Sequence, residues 1–584
     1  MSNIKQLYCG HVNASYINQT VKINGWVKRV RKMGNLVFVD IKDRYGLVQA
    51  FATSNDQIFD QLNALSREDV ISLVGVVLAR KQVNSSIPTG EVEILATSLI
   101  IHSKSKTPPL IIENKTDANE EVRLKYRYLD LRRDVNLQTF VLRSKVTKSI
   151  RDFLHNQNFI ETETPMLAKP TPEGARDYYV PTRTKKFYAL PQSPQTFKQL
   201  LMLAGFDRYF QIAKCFRDED LRSDRQPEFS QVDMELSFVD QYQVQTLVEQ
   251  LLHHIFLECA NKEIKIPFDR MDYKDAIHYY GTDKPDLRYG LKINDGCAFF
   301  KDTTALFIKK ALENKAVVRY LFVEDVHLTK KQIQGLEKYA KDNQAKGLGW
   351  VCVQDNKVVD GSLANIIDDH HIYLKIAQTH NKTKGTILIV ADQYEIATQA
   401  LGAVRVQLAT LLDLKANKED AFVWIVNWPL FEYDQDNKRY VAAHHPFTAP
   451  TIECEHDFDT NQSNAKGQSY DVVLNGYELG GGSVRIINPE IQQRMFNAIN
   501  MPASEAKTKF GFLLEAFSYG VPPHAGIALG LDRLMMILIN SEMIKDVVAF
   551  PKNNAGVDMM LDCPSEIDDS ELKEVGLKRE TKQS

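Results

Sequence analysis

The stretch Phe216-Arg217-Asp218-Glu219-Asp220 runs on through Arg222, Asp224 and Arg225 to Gln226-Pro227-Glu228-Phe229. It is dense in charge, and apolar runs flank it at residues 209–215 and 232–238. Two β-type runs joined by a polar segment predict an antiparallel hairpin with a long charged loop. Arg217, at the end of the first run, offers a planar fork suited to a phosphate. The loop behind it would then cover a nucleotide. A solvated hairpin tip is the plainer alternative.

Two further signatures accompany it. Asp471-Val472-Val473-Leu474-Asn475-Gly476-Tyr477-Glu478-Leu479-Gly480-Gly481-Gly482-Ser483-Val484-Arg485 places two carboxylates, Asp471 and Glu478, seven residues apart. On adjoining strands they would share a magnesium ion held between phosphate oxygens. The three glycines let the backbone approach a ligand closely, and Arg485 can pair with a carboxylate. No Lys-Ser/Thr follows the glycines, so the run is not a Walker loop, and it lacks the dinucleotide fingerprint. A glycine-rich hairpin is the plainer alternative. The third signature, Gly526-Ile527-Ala528-Leu529-Gly530-Leu531-Asp532-Arg533, leads into an apolar helical run at residues 534–539. Small residues before a helix admit a flat base, and Arg533 brings positive charge to where a γ-phosphate would sit. An ion-paired Asp532–Arg533 cap is the plainer alternative there.

Working outward, residues 1–105 read as a small all-β barrel, with β-rich runs at 21–27, 35–41, 46–51, 70–78 and 91–101. Parity then says that if Val37, Val39 and Ile41 face the core, Leu36 and Phe38 face outward. Gln49 and Phe51 share a face, and Arg29 and Arg31 lie just upstream. Such a surface can stack bases, read their edges and hold phosphates, but the plainer alternative, which the residues alone favour, puts both phenylalanines in the core and leaves the arginines merely solvated. Residues 106–135, with Pro108-Pro109 and a charged stretch, read as a hinge. Helical spacing of Phe140, Val146, Ile150, Phe153 and Leu154 follows, then a strand at 159–165 closed by Pro165. Mixed α/β character continues to 286. Residues 287–420 carry their own pattern, with helices expected at 330–341 and 394–412. Strands return in 421–564, and 565–584 form a Lys- and Glu-rich extension.

The chain has 584 residues, 44% hydrophobic and 25% charged, which excludes global disorder and implies several domains. No apolar run reaches the length of a membrane span, and the first residues lack a signal-peptide layout. Seven scattered cysteines without a C-x-x-C pair predict reduced thiols in a cytoplasmic enzyme. The net charge of −3 excludes a uniformly basic chain, but not local basic sites such as Arg29 with Arg31, or Arg217, Arg485 and Arg533.

The three signatures, with the helix, strand and Pro165 before them, resemble the three motifs of class II aminoacyl-tRNA synthetases. The closer resemblance is to the bacterial-type aspartyl-tRNA synthetases of subclass IIb. It is carried by Lys125-Tyr126-Arg127-Tyr128-Leu129-Asp130-Leu131-Arg132-Arg133, Thr171-Pro172-Glu173-Gly174-Ala175-Arg176-Asp177, Gln192-Ser193-Pro194-Gln195 with Phe197-Lys198-Gln199-Leu200, His444-His445-Pro446-Phe447, and residues 546–552. It covers nearly the whole chain. The resemblance implies a multidomain α+β fold: an N-terminal OB-fold β-barrel for the anticodon and an antiparallel-sheet catalytic domain in two parts, 136–286 and 421–564. An inserted α/β GAD domain would occupy 287–420.

It also implies roles. Arg217, Glu219 and Arg533 would carry catalysis. ATP would lie against Arg217, Asp218, Glu219, Gln226, Phe229, Glu478, Gly530, Leu531, Asp532 and Arg533. Lys198 and Arg485 would clamp the side-chain carboxylate of aspartate. Glu173, Ser193, Gln195, Thr196, Phe197, Arg217, Asp233 and His444 would complete that site. Asp471 and Glu478 would hold Mg²⁺. Arg29, Arg31, Phe38, Gln49 and Phe51 would read the anticodon, Met33 would bear on tRNA discrimination, and Pro165 would lie at a homodimer interface. The expected activity is ATP-dependent charging of tRNA-Asp with L-aspartate and no membrane partner. A form that also charges tRNA-Asn, a lysyl or asparaginyl enzyme, and a related ATP-dependent ligase are the alternatives; a non-catalytic RNA-binding module would not need Arg217, Glu478 and Arg533 together. No Ser-His-Asp or Cys-His signature calls for a covalent nucleophile, and Cys215 is given no catalytic role. His444-His445 has no nearby third ligand, which favours a substrate pocket over a metal.

Overall fold

The computed structural model describes residues 4–170, 174–415 and 418–580. The chain resolves into two compact units: Met1–Leu142 with Val548–Ser565, and Arg143–Val547 with Glu566–Ser584.

In the first unit, strands Thr20–Met33, Leu36–Asp43, Gly46–Thr53, Val70–Ala79 and Val92–Ser103 form a barrel. It closes because Thr20–Met33 is long enough to pair with Leu36–Asp43 at one end and Val70–Ala79 at the other. Lys5–Leu7 adds a short parallel strand. Alternation in Leu36–Asp43 is regular: Val37, Val39 and Ile41 are fully buried, and Leu36, Phe38 and Asp40 face outward. The segment after the barrel, read from sequence as a hinge, is organised around one carboxylate. Asp130 is fully buried and accepts hydrogen bonds from Arg123 (3.1 Å), Arg127 (2.6 Å), Arg133 (2.6 Å) and Asn136 (2.9 Å). Burial opposes its ionisation, yet Arg133 and Arg123, with Arg127, hold the carboxyl below the ordinary range. Arg127 also donates to the carbonyls of Val548 (3.0 Å) and Ala549 (2.9 Å). Residues 548–565 thus pack in this unit, although the sequence reads them as continuous with the strands from 421 onward.

The second unit is built on an eight-stranded sheet. Its order is Asp269–Asp272, Phe422–Val426, Ser469–Leu474, Tyr477–Val484, His524–Gly530, Glu228–Ser237, Arg208–Phe216, Ile160–Glu161. The inner pairs are antiparallel, as expected. Both edge pairs are parallel, so the whole sheet is mixed. The strand expected at 159–165 shrinks to Ile160–Glu161, because its pairing ends at Phe210 and Pro165 has no N–H to extend it. Helix Asp134–Asn156 buries Val146, Ile150 and Leu154. A separate five-stranded sheet lies in the same unit, in the order Ile293–Asp295, Val317–Glu324, Gly385–Asp392, Gly349–Gln354, Lys357–Gly361. Helices Lys330–Asp342 and Tyr394–Leu411 stand where the apolar periodicity placed them. The C-terminal extension carries helix Asp569–Glu574.

Candidate active site

The three charged signatures converge on one cavity of about 340 Å³ in the second unit. Strand Glu228–Ser237 supplies its floor by parity, since Phe229, Gln231 and Asp233 alternate onto the cavity wall and Glu235 lies one step deeper. Helix Gln195–Leu203 adds Gln195 and Lys198, one turn apart, and Ser193 precedes it.

Deep in the cavity, four buried charges balance. Lys198 contacts Asp233 at 2.7 Å and Glu235 at 3.3 Å. Arg485 grips Glu235 with two bonds, of 2.9 and 3.1 Å, and donates to Ser483 and to the His445 Nε2 at 2.6 Å each. Burial would raise Glu235, but Arg485 and Lys198 bring its carboxyl down to about 2. Asp233 is shifted the other way, upward, because burial outweighs Lys198. Burial pushes His444 down to about 4, and burial together with Arg485 pushes His445 well below the ordinary imidazole value, so both imidazoles are neutral at pH 7. Asp233 Oδ2, Arg217 Nε and His444 Nε2 are buried with no hydrogen-bond partner among the described residues, and all three residues line the cavity. Each such atom is worth about 1–3 kcal/mol of desolvation, so the pocket is preorganised for a polar ligand.

At the other end, Arg217 follows strand Arg208–Phe216, with its guanidinium 5.1 Å from the centre of the Phe229 ring. Gln226 is buried on the same wall, and Glu219 pairs with Arg225 at 2.8 Å. Arg533, in helix Leu531–Leu538, donates to the Glu478 carbonyl at 2.8 Å and reaches Asp224 at 3.2 Å. Asp532 does not cap Arg533. Its carboxylate takes the Ser230 N–H at 2.7 Å and Arg143 at 2.6 Å. It therefore fixes the residue after Phe229 to the residue before Arg533.

The glycine run has two functions. A Cβ at Gly480 or Gly482 would lie 2.2 or 2.0 Å from carbonyl oxygens of strand His524–Gly530, so these positions allow strand-to-strand contact rather than ligand approach. A Cβ at Gly481 would instead lie 2.4 Å from Asp471 Oδ1. The Asp471 carboxylate is buried, makes no hydrogen bond or ion pair among the described residues, and is raised well above its ordinary value by burial and by Glu478. Two adjacent carboxylates, one of them uncompensated, fit a divalent cation, although among the described residues no group of three or more His, Cys, Asp or Glu converges.

Several expected residues stand off the wall. Leu531 is in the core, and Thr196 and Phe197 are not among the residues that line the cavity. Asp218 instead bonds the Arg176 carbonyl through its N–H at 3.1 Å. Gly530 and Asp532 do line the wall. Glu173 lies outside the described residues. Glu235, Asp224 and Ser483 were given no role from the sequence, whereas His445 was placed with His444 in a substrate pocket and does line the cavity. Glu235 had a signal, being two residues beyond Asp233 on one strand; Asp224 had none, since loop charges do not reveal their partners.

In the first unit, Phe38 and Phe51 face each other across adjacent strands at 6.1 Å and 32°. Arg31 lies 5.9 Å over Phe38 and donates to Asp40 (3.0 Å) and Gln49 (2.6 Å). Gln49 in turn donates to Glu93 at 2.9 Å. Arg29 is exposed opposite Asp40, and Met33, at the strand end, is 64% exposed. Pro165, in the second unit, is exposed beside Met166 and Leu167.

A barrel with half-buried paired aromatics on its outer face and an antiparallel-centred sheet carrying these motifs define a class of RNA-charging ligases, and this chain belongs to it. The family described as tRNA synthetases class II (D, K and N) matches residues 119–554, and the OB-fold nucleic acid binding domain matches 21–101. Members of the class use ATP as a substrate. A protein of Ureaplasma parvum serovar 3 named aspartate–tRNA ligase is 62% identical over 573 residues, covering 98% of this chain and 99% of its own. One from Anoxybacillus flavithermus, named aspartate–tRNA(Asp/Asn) ligase, is 45% identical over 98% of each chain. Among solved structures, asparaginyl-tRNA synthetase from Pyrococcus horikoshii, complexed with asparaginyl-adenylate, shares the fold. Its TM-score is 0.60 at 17% identity, covering 94% of this chain and 98% of its own.

Proposed function

We propose that the protein is an aspartate–tRNA ligase. The observation that carries this reading is the pocket floor, where the cations Lys198 and Arg485 lie beside Asp233, whose Oδ2 has no hydrogen-bond partner among the described residues. The names of the relatives point the same way. Aspartate's side-chain carboxylate lies between Lys198 and Arg485, and its ammonium faces Asp233, Ser193 and Gln195, with Glu173 closing over it and His444 lining the site. ATP lies with adenine on Phe229 and Gln226, its α-phosphate at Arg217 with Glu219 beside it, and its γ-phosphate at Arg533.

The aspartate α-carboxylate attacks the α-phosphorus, the bond to the bridging oxygen breaks, and pyrophosphate leaves. The terminal tRNA hydroxyl then attacks the carbonyl of the mixed anhydride and releases AMP. Charge accumulates on phosphate oxygens in the first step, so Arg217 and Arg533 act by preorganised electrostatics and positioning. Magnesium bound by Asp471 and Glu478 would supply further neutralisation of that charge. Asp532 and Arg143 hold the two arginine-bearing elements in register.

The barrel face of Phe38, Phe51, Gln49, Arg29 and Arg31 reads the anticodon, with Met33 at its margin. Residues 287–420 are an insertion that splits the catalytic domain. Two copies pair around Pro165, where Met166 and Leu167 are exposed, and the enzyme works in the cytoplasm with its seven cysteines reduced. Among the described residues no helix is long and apolar enough to cross a membrane. The Anoxybacillus relative's name keeps open a form that charges tRNA-Asn as well. Charging purified tRNA-Asp and tRNA-Asn side by side with aspartate tests both points. Aspartyl-tRNA-Asp is the expected product, and its absence contradicts the proposal.

A further inference from the structure

One feature of the barrel lies outside the proposed anticodon face. Tyr8, His11, Arg44 and Tyr45 are all exposed and gather at the turn between strands Leu36–Asp43 and Gly46–Thr53. The Tyr8 and Tyr45 rings are 4.4 Å apart, and His11 is 4.5 Å from Tyr45. The Arg44 guanidinium is 4.6 Å from the Tyr45 ring and 5.9 Å from Tyr8, and it donates to the Tyr45 hydroxyl at 2.5 Å. The two segments are fitted to each other: a Cβ at Gly10 would sit 2.1 Å from the Tyr45 carbonyl oxygen. Asp43 completes the joint, accepting from the N–H of Cys9 at 2.5 Å and of Tyr45 at 2.8 Å. No ion pair occupies Arg44 among the described residues. Two exposed aromatic rings are therefore held against an unneutralised cation.

The cluster lies along the same outward row as the Phe38–Phe51 pair. From Phe38 the row runs through Asp40 and Lys42 to the turn, with Arg31, Arg29 and Trp26 opposite on strand Thr20–Met33. Cations recur along it at Arg31, Arg29, Lys42 and Arg44, with Arg31 held by Asp40 and Lys42 by Asp134. In the other direction the next outward pair is Leu36 and Met33, both apolar. Five residues, 39–43, separate Phe38 from Arg44, and the six steps span about 20 Å at an extended rise. Positive charge and stacking surface thus extend along this row from the base-reading pair towards the turn.

We propose that Tyr8, His11, Arg44 and Tyr45 form a second RNA contact, taking the backbone of the tRNA stem adjoining the bases read at Phe38 and Phe51. Arg44 holds a phosphate, and the tyrosine rings lie against the neighbouring sugar or an unstacked base. The proposal rests on the tRNA-ligase reading. Its test is Arg44→Ala and Tyr45→Ala in the full-length protein, assayed for tRNA binding across a salt series and for aspartate-dependent pyrophosphate exchange. Tyr45→Ala is expected to weaken tRNA binding on the order of tenfold. Arg44→Ala should lower the salt slope by about one. Exchange should be unchanged in both. Affinity within about twofold of the parent in both variants, while Phe38→Ala loses binding, overturns the second contact and leaves the function standing. A lowered melting temperature with unaltered tRNA affinity also overturns it, because the cluster is then only a clasp for the N-terminal turn. Failure of aspartate to drive exchange in the parent protein overturns the function itself and is read separately.

Discussion

Glu235 sits fully buried between Lys198 and Arg485, and its carboxyl is brought down to about 2. A carboxylate depressed from about 4.5 stabilises the fold at any pH above its unfolded value and loses that contribution as pH falls towards 2. Glu235→Gln should therefore lower stability at pH 7 by about 3–5 kcal/mol, since it leaves two buried cations undercompensated. Its melting temperature should also fall less steeply than the parent's between pH 4.5 and 2, which calorimetry across that range measures. Lys198→Leu is expected to abolish aspartate activation while leaving ATP binding largely intact, read by nucleotide titration beside pyrophosphate exchange. Asparagine would offer a neutral amide to the same cations, and a buried polar mismatch of that kind discriminates by about 10⁴–10⁵ without an editing site. At this scale the sequence was partly legible. Lys198, Arg485 and Asp233 fall in recognisable patterns, and strand parity points from Asp233 to Glu235. The bond between Arg143 and Asp532 joins residues remote in sequence and has no local signature.

Strand Tyr477–Val484 shows how an element constrains its own composition. Gly480 and Gly482 face the backbone of strand His524–Gly530, whereas Gly481 faces Asp471. Gly482→Ala would push a Cβ to 2.0 Å from the Gly526 carbonyl oxygen, a backbone atom that cannot yield locally. It should destabilise the protein by about 1–3 kcal/mol or more, measured by denaturant melts. Gly481→Ala meets a side chain instead, so the expected result is a higher magnesium requirement with a smaller change in melting temperature. The sequence showed that glycine was required here, but not why, because the crowding comes from a partner strand whose order in the sheet only the fold reveals. For the same reason Leu36–Asp43 was legible down to single residues, its alternation being intrinsic to one strand. Ile160–Glu161 was overextended, since its length is set by what it pairs with.

Across the whole molecule, RNA recognition and chemistry are assigned to separate compact units, the barrel in one and the cavity in the other. Phe38→Ala should weaken tRNA binding on the order of tenfold and leave adenylate formation unchanged, because the ring packs with Phe51 on the barrel's outer face rather than in its core. Equal loss of both activities would indicate misfolding. The net charge of −3 is compatible with this division, since the cavity carboxylates offset cations placed locally on the barrel and in the cavity itself. The most direct test of the proposed activity is ATP–pyrophosphate exchange measured with each proteinogenic amino acid in turn, without tRNA. Exchange driven by L-aspartate, absent with asparagine and lysine and lost in Lys198→Leu, is the predicted result. Exchange driven by asparagine or lysine, or undiminished in Lys198→Leu, would contradict the assignment of the pocket.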